Sequence, residues 1–129
     1  MEGVTSRDTI RMTIPALLAY VRLPRVAIAG LATRSGFSYD EVEDLRLAVG
    51  EVCQVLLDGA DRNGTLTIEF TVARGTLGVE VAIDAPPGRH DGLAERLAEQ
   101  ILDATVGKVE IDDDGRRISF SMRAADDDE

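Results

Sequence analysis

Residues 38–57, with the sequence SYDEVEDLRLAVGEVCQVLL, decide the fold because they predict a long and largely buried helix. Ser38 followed by Glu41 forms a capping box, in which each side chain binds the backbone N–H of the other residue at a helix start. From Val42 onward, apolar residues recur at steps of three and four, which is the helical period. We therefore expect the most buried element of the protein to start at Ser38.

The segment before this helix predicts a strand and another helix. Residues 9–14 alternate apolar and polar side chains and end at Pro15, which indicates an edge strand. Residues 19–34 carry apolar side chains in nearly every turn and stop at Ser35-Gly36, a typical helix end. Pro24 interrupts this pattern, so either the helix proper starts at Pro24 or Pro24 bends its opening turns.

The segment after the long helix predicts four strands and a third helix. Alternating runs over 65–73 and 77–83 predict a hairpin, residues 91–105 have helical spacing, and a closing hairpin is predicted near 109–111 and 118–122. The fold class is therefore α+β, a two-layer sandwich in which three helices cover one face of a largely antiparallel five-stranded sheet. We expect one domain over residues 1–124 and a disordered acidic tail over 125–129.

Composition excludes several classes of function. The chain has 129 residues and a net charge of −10, from 24 acidic and 14 basic side chains, so its average field repels nucleic acids and anionic lipid. The single Cys53 cannot form an internal disulfide, and we expect it to be a small core residue. His90 is expected to be exposed and inert. Since no signal peptide or long apolar run is evident, we expect a cytoplasmic protein that binds neither nucleic acid nor membrane.

Two segments carry a resemblance to a known family. Residues 25–37 (RVAIAGLATRSGF) and 43–53 (EDLRLAVGEVC) closely resemble the anti-sigma regulatory factors of the serine-kinase type. These factors belong to the Bergerat-fold or histidine-kinase-like ATPases. About a third of the chain matches at motif level, and the element order extends the resemblance to most of it. The resemblance implies an ATP and Mg²⁺ site between the second helix, the loop after the third strand and a glycine-rich lid.

The resemblance assigns roles to three positions in that site. Glu51 matches the general base, Asp84 matches the residue that contacts adenine, and Val55 stands where the family has an asparagine that holds the metal. An aliphatic side chain offers no oxygen to Mg²⁺. Asp58 or Gln54 is an alternative oxygen donor. Without the match, Glu51 is a partly exposed helix acid and Asp84 a turn-forming residue.

The glycine motifs of the family also depart from its pattern. Pro86 and Pro87 follow Asp84, and prolines cannot imitate a glycine turn that approaches a nucleotide. The lid is shortened, and the third predicted helix starts without a second glycine box. We therefore expect a degenerate nucleotide site, no metal ligands, and no bound cofactor.

Arginines of the first helix indicate a binding surface. Arg22, Arg25 and Arg34 are basic in an acidic protein, and arginine favours bidentate contact with a partner's carboxylates. Arg25 also matches an arginine of the family's partner surface. Alternatively, these arginines balance the nearby acids at positions 40, 41 and 43. The resemblance further implies a homodimer formed through the first strand and helix.

These observations predict a cytoplasmic anti-sigma regulator that binds and sequesters a sigma factor and is released by exchange with an antagonist protein. The alternative is an active ATP- and Mg-dependent serine/threonine kinase, in which Glu51 deprotonates a serine of the antagonist. The enzyme question stays open, although the change at Val55 predicts weak or absent activity. A third possibility is a dimerisation or adaptor module outside sigma regulation.

Overall fold

The computed structural model describes residues 7–58, 63–84, 109–112 and 116–125. Two helices and five strands lie within these ranges, and a single 3₁₀ turn, Leu18–Tyr20, precedes the first helix. In chain order the elements are β1 (Asp8–Pro15), α1 (Arg22–Arg34), α2 (Tyr39–Leu57), β2 (Thr65–Ala73), β3 (Thr76–Asp84), β4 (Val109–Ile111) and β5 (Arg117–Arg123). The predicted helix over 91–105, His90, the lid region and tail residues 126–129 lie outside the described residues.

The five strands form one antiparallel sheet in the order β1-β2-β3-β5-β4. β2 and β3 form a hairpin through the turn at Arg74-Gly75, where Gly75 has a φ of 74°. That left-handed conformation strains residues with a Cβ, so glycine suits it. The registers place Phe70 opposite both Ile10 and Val79. Because side chains alternate along a strand, these apolar residues share one face of the sheet.

Both described helices cover this apolar face. Leu66, Ile68 and Phe70 of β2 are fully buried, as are Leu77 and Val81 of β3. α2 contributes eight buried residues to the core and α1 contributes three. The prediction that α2 is the most buried element is therefore confirmed for the described helices. The α+β class and the five-stranded antiparallel sheet are confirmed as well.

The start of α2 has the predicted capping box. The backbone N–H of Glu41 donates to Ser38 Oγ at 3.2 Å, and the backbone N–H of Ser38 donates to Glu41 Oε1 at 2.8 Å. Both bonds satisfy donors that have no partner inside the helix. The cap thereby fixes where α2 begins and how its apolar face meets the sheet.

The start of α1 lies between the two starts that the sequence left open, residue 19 and Pro24. Residues 18–20 form a 3₁₀ turn, and α1 begins at Arg22. Pro24 lies in the first helical turn and is buried. It does not break the helix, because the first backbone N–H groups of a helix have no intrahelical acceptor. Neither described helix is long and apolar enough to cross a membrane.

Candidate functional site

Glu51 lies on α2, partly buried and six residues before the helix ends. Leu47 is one turn before it and is 49% exposed, whereas Val55 is one turn after it and is 8% exposed. The side chain of Glu51 therefore lies at the boundary between the core and the surface. Neither a hydrogen bond nor an ion pair of Glu51 is present in the described part of the chain.

Asp84 is the last residue of β3 and is exposed. It pairs in register with Thr65, the first residue of β2, which is the next strand after α2. Asp84 therefore lies at the end of the sheet where β2 begins, and residues 58–64 separate that strand from α2 in the sequence. No hydrogen bond or ion pair joins Asp84 to Glu51 among the described residues.

Position 55 does not fit a magnesium site. Val55 has no donor atom, and Mg²⁺ requires near-octahedral oxygen ligation. Gln54 and Asp58, the alternative donors, are both exposed. Within the described ranges, no three acidic, histidine or cysteine side chains converge on a point that could hold a metal. The glycine-box positions after Asp84 lie outside those ranges.

The sequence predicts that three apolar residues close over the nucleotide region: Leu47, Val55 and Pro86. Val55 is buried, in agreement with this expectation. Leu47 is about half exposed, and Pro86 lies outside the described residues. Closure of the region therefore stays a prediction.

A second candidate site, the α1 surface, consists of six exposed residues at the start of the first helix: Leu18, Tyr20, Arg22, Leu23, Arg25 and Val26. Val26 is 66% exposed and Leu18 is 62% exposed, which is unusual for large apolar side chains. The helical spacing of Leu23 and Val26 puts them on one stripe of α1. The surface thus combines two arginines with an apolar patch.

The arginines of α1 form no ion pair with the neighbouring acids among the described residues. Glu41 accepts from the backbone of Ser38 and of Ala125, and Glu43 forms an ion pair with Arg46 at 3.1 Å. Arg22, Arg25 and Arg34 form no ion pair or side-chain hydrogen bond within the described part of the chain. No ion pair or side-chain hydrogen bond among the described residues supports the alternative of local charge balance, and that alternative stays a prediction.

The side chain of Arg25 on α1 packs against α2 at Gly50. A Cβ atom built at Gly50 would be 3.5 Å from Arg25 Cδ and 3.8 Å from Arg25 Nε. Both distances are ordinary van der Waals contacts, so the side chain of Arg25 packs directly against α2, one residue before Glu51. Sequence reasoning missed this contact, although a glycine inside a strong helical pattern is a known signal of close packing.

Comparisons with known proteins agree with this architecture. A family model described as a histidine kinase-like ATPase domain matches residues 14–127. Serine-protein kinase RsbW of Bacillus subtilis is 42% identical over 105 residues, which are 79% of this chain and 66% of that protein. RsbW of Halalkalibacterium halodurans is 41% identical over 91 residues, 70% of this chain and 56% of that protein. This chain spans between about half and two thirds of the length of these relatives.

A solved structure shows the same fold. The structure of the RsbU and RsbW domains of Rv1364c from Mycobacterium tuberculosis aligns with a TM-score of 0.67. The alignment covers 91% of this chain and 32% of that chain at 13% identity. At this identity the likeness supports the fold alone. Together with the family match, it confirms the resemblance seen in the two motif segments.

Proposed function

Because the chain belongs to the family of histidine-kinase-like ATPase domains, we propose that it is an anti-sigma regulator that acts by binding. It holds a sigma factor on the α1 surface and releases it when an antagonist protein competes for the same residues. The exposed, unpaired arginines beside apolar side chains on α1 are the observation that carries this proposal. The protein acts in the cytoplasm and contacts neither nucleic acid nor membrane directly.

The chemistry of the α1 surface suits a protein partner. Arginine and tyrosine are enriched among residues that dominate binding energy, and Arg22, Arg25 and Tyr20 all lie on this surface. The apolar stripe of Leu23 and Val26 supplies area that a partner can remove from water. Since Arg22 and Arg25 have no ion pair among the described residues, a partner's carboxylates meet guanidinium groups without first displacing an internal acid.

Binding alone is sufficient for inhibition. The sequestered fraction of a sigma factor depends on concentrations and on the difference between its affinity and that of the competitor. ATP hydrolysis or phosphoryl transfer is not required for that equilibrium. The lack of a metal-holding oxygen at Val55 agrees with a regulator of this kind.

Homodimer formation is part of the proposal. β1 is an edge strand of eight residues, so one side of its backbone has no neighbouring strand among the described residues. Such edges are ready to pair with another chain. We place the dimer contact on β1 and the adjoining part of α1. Analytical ultracentrifugation of the purified protein tests whether the dimer forms.

Calorimetric titration against purified sigma factors of the same organism tests the main proposal. Truncation of an arginine anchor typically costs about 2 kcal/mol, roughly a 30-fold loss of affinity. We expect losses of this order for Arg25→Ala and for Val26→Asp. Arg123→Ala, which changes an exposed arginine on β5, is the matched control and should leave the affinity unchanged. Absence of binding to any sigma factor, or equal losses in all three variants, contradicts the proposal.

A second candidate function is supported by the curated relatives, which are named serine-protein kinases. In that function Glu51 takes the proton of the substrate serine and Asp84 contacts the adenine base. Phosphoryl transfer depends mainly on positioning and metal charge, so the loss of a metal donor at Val55 weakens this candidate most.

Transfer of labelled γ-phosphate to the antagonist protein decides between the two functions. The kinase predicts labelling that Glu51→Gln abolishes and that Glu43→Gln leaves intact. Glu43 is a suitable control because it lies on the same helix and pairs with Arg46. A binding-only regulator shows no labelling with the unaltered chain, while its sigma affinity remains.

A further inference from the structure

A groove lies at the end of the sheet away from Asp84 and Glu51. Its apolar floor includes Ile10 of β1, Leu31 of α1 and Val72 of β2, and its volume is about 710 Å³. Val72 is seven residues along β2 from Thr65, the partner of Asp84, which is about 23 Å of strand. We call it the distal groove, since this distance separates it from the candidate nucleotide region.

The charges of the distal groove differ from those of the whole chain. Arg34 and Arg74 line it, and Asp8 is the only carboxylate among its lining residues. Both arginines are exposed and make no ion pair or side-chain hydrogen bond in the described part of the chain. In a protein with a net charge of −10, a groove with two unpaired arginines favours an acidic occupant.

Ala124 and Ala125, the last described residues after β5, are hydrogen-bonded beside this groove. The backbone N–H of Ala124 donates to the carbonyl oxygen of Gly75 at 2.8 Å, directly after Arg74. The backbone N–H of Ala125 then donates to Glu41 Oε2 at 2.8 Å. Glu41 belongs to the cap that follows the α1–α2 connection, and that connection contributes Gly36 to the groove.

Four acidic residues follow this anchored point: three aspartates at 126–128 and Glu129. Four residues extend over at most about 14 Å, and Gly75, to which Ala124 is bonded, is adjacent in sequence to Arg74 of the groove. The carboxylate of Glu41 repels these acids at their exit, whereas the two arginines attract them. Tethering also gives the segment a high effective concentration, so individually weak contacts suffice.

We propose that the acidic segment 126–129 binds in the distal groove, where its carboxylates pair with Arg34 and Arg74. The groove is then an intramolecular binding site for an acidic peptide, at the opposite end of α1 from Arg22 and Arg25. The contact joins the end of β5 to the end of α1. It uses neither the α1 surface nor Glu51, although the groove shares Asp8 and Ile10 with β1, the strand on which we place the dimer contact.

Paramagnetic relaxation in the full chain tests this contact. A nitroxide is attached to Glu129→Cys, and the native Cys53 does not interfere because its side chain is fully buried. The matched control carries the same label and replaces the three preceding aspartates by asparagine. The amide of Ile10 is the most informative probe, since it lies on β1, across β2 from the turn at Gly75.

We expect stronger broadening of Ile10 and Leu31 amides with the acidic segment than with the neutral one. The excess should vanish with Arg34→Gln/Arg74→Gln, and also in about 0.5 M salt, where the Debye length falls to about 4 Å. Equal broadening in the acidic and neutral chains overturns the proposal, because it shows an undirected segment. Excess broadening centred on Arg22 and Arg25 overturns it too, because the segment then binds the α1 surface.

Discussion

Gly30 is a position where a single methyl group should stabilise the fold. It lies inside α1, is exposed, and has no heavy atom within 4 Å of a Cβ built on its backbone. Its φ is not positive, since Gly36 and Gly75 are the only glycines with positive φ among the described residues. Glycine inside a helix costs about 0.8–1.0 kcal/mol relative to alanine. Gly30→Ala should therefore raise the free energy of unfolding by about that amount.

Urea denaturation followed by far-UV circular dichroism measures this gain, which corresponds to a rise of about 4 °C in Tm for a domain of this size. Gly36→Ala is the matched control. Gly36 lies two residues after the end of α1 and has a φ of 91°. Because residues with a Cβ are strained in this left-handed conformation, the same methyl group should destabilise the protein by about 1 kcal/mol. A Gly30→Ala variant that is no more stable than the parent, or a neutral Gly36→Ala, would refute the argument from helix position and φ.

Four further experiments test the cap, the core and the candidate metal position. Ser38→Ala removes the bond to the Glu41 backbone and should cost about 1 kcal/mol of unfolding free energy, measured in urea. Backbone N–H groups of Ser38 and Ala125 keep the pKa of Glu41 below its usual 4.5, so its carboxylate stabilises the fold at neutral pH and this stability is lost as the pH falls below 4.5. The difference in unfolding free energy between the parent and Glu41→Gln should therefore shrink on acidification. A difference that stays constant with pH would contradict this prediction. Burial raises the pKa of Cys53 to about 12, so a thiol reagent at pH 8 should label it only after unfolding. Val55→Asn places a polar amide at a buried position and should lower the free energy of unfolding in the absence of magnesium. If the family's site persists, Mg-ATP should restore part of that free energy. Equal stability of the variant with and without Mg-ATP supports a degenerate site.

The sequence predicted the elements whose signals are local. The capping box at Ser38 and the helical spacing after Val42 predicted α2, because both depend on residues within a few turns of each other. The strands of the β2–β3 hairpin were predicted from alternation for the same reason. The start of α1 was left open between residue 19 and Pro24, since apolar spacing does not distinguish a 3₁₀ turn at 18–20 from the first turn of an α-helix, and the helix begins at Arg22.

The candidate sites were less predictable because they depend on contacts between distant segments. Glu51 and Asp84 were selected through the family resemblance, and the sequence alone could not indicate how they lie relative to each other. The contact of Arg25 with Gly50 depends on how α1 crosses α2, which no local pattern encodes. The anchoring of Ala125 at Glu41 likewise depends on the pairing of β5 with β3.

The geometry of α2 separates position 55 from the proposed partner surface on α1. Successive helix residues are about 100° apart, so Gly50 and Val55 are separated by about 140° around the helix axis. Arg25 contacts the face at Gly50, whereas Val55 packs toward the core with 8% of its surface exposed. Valine at position 55, where the resemblance implies an asparagine, therefore adds apolar burial on one face of α2, whereas Arg25 packs on another face. In the proposed function the partner binds the α1 surface, which does not include position 55 of α2, so a change at position 55 need not weaken partner binding.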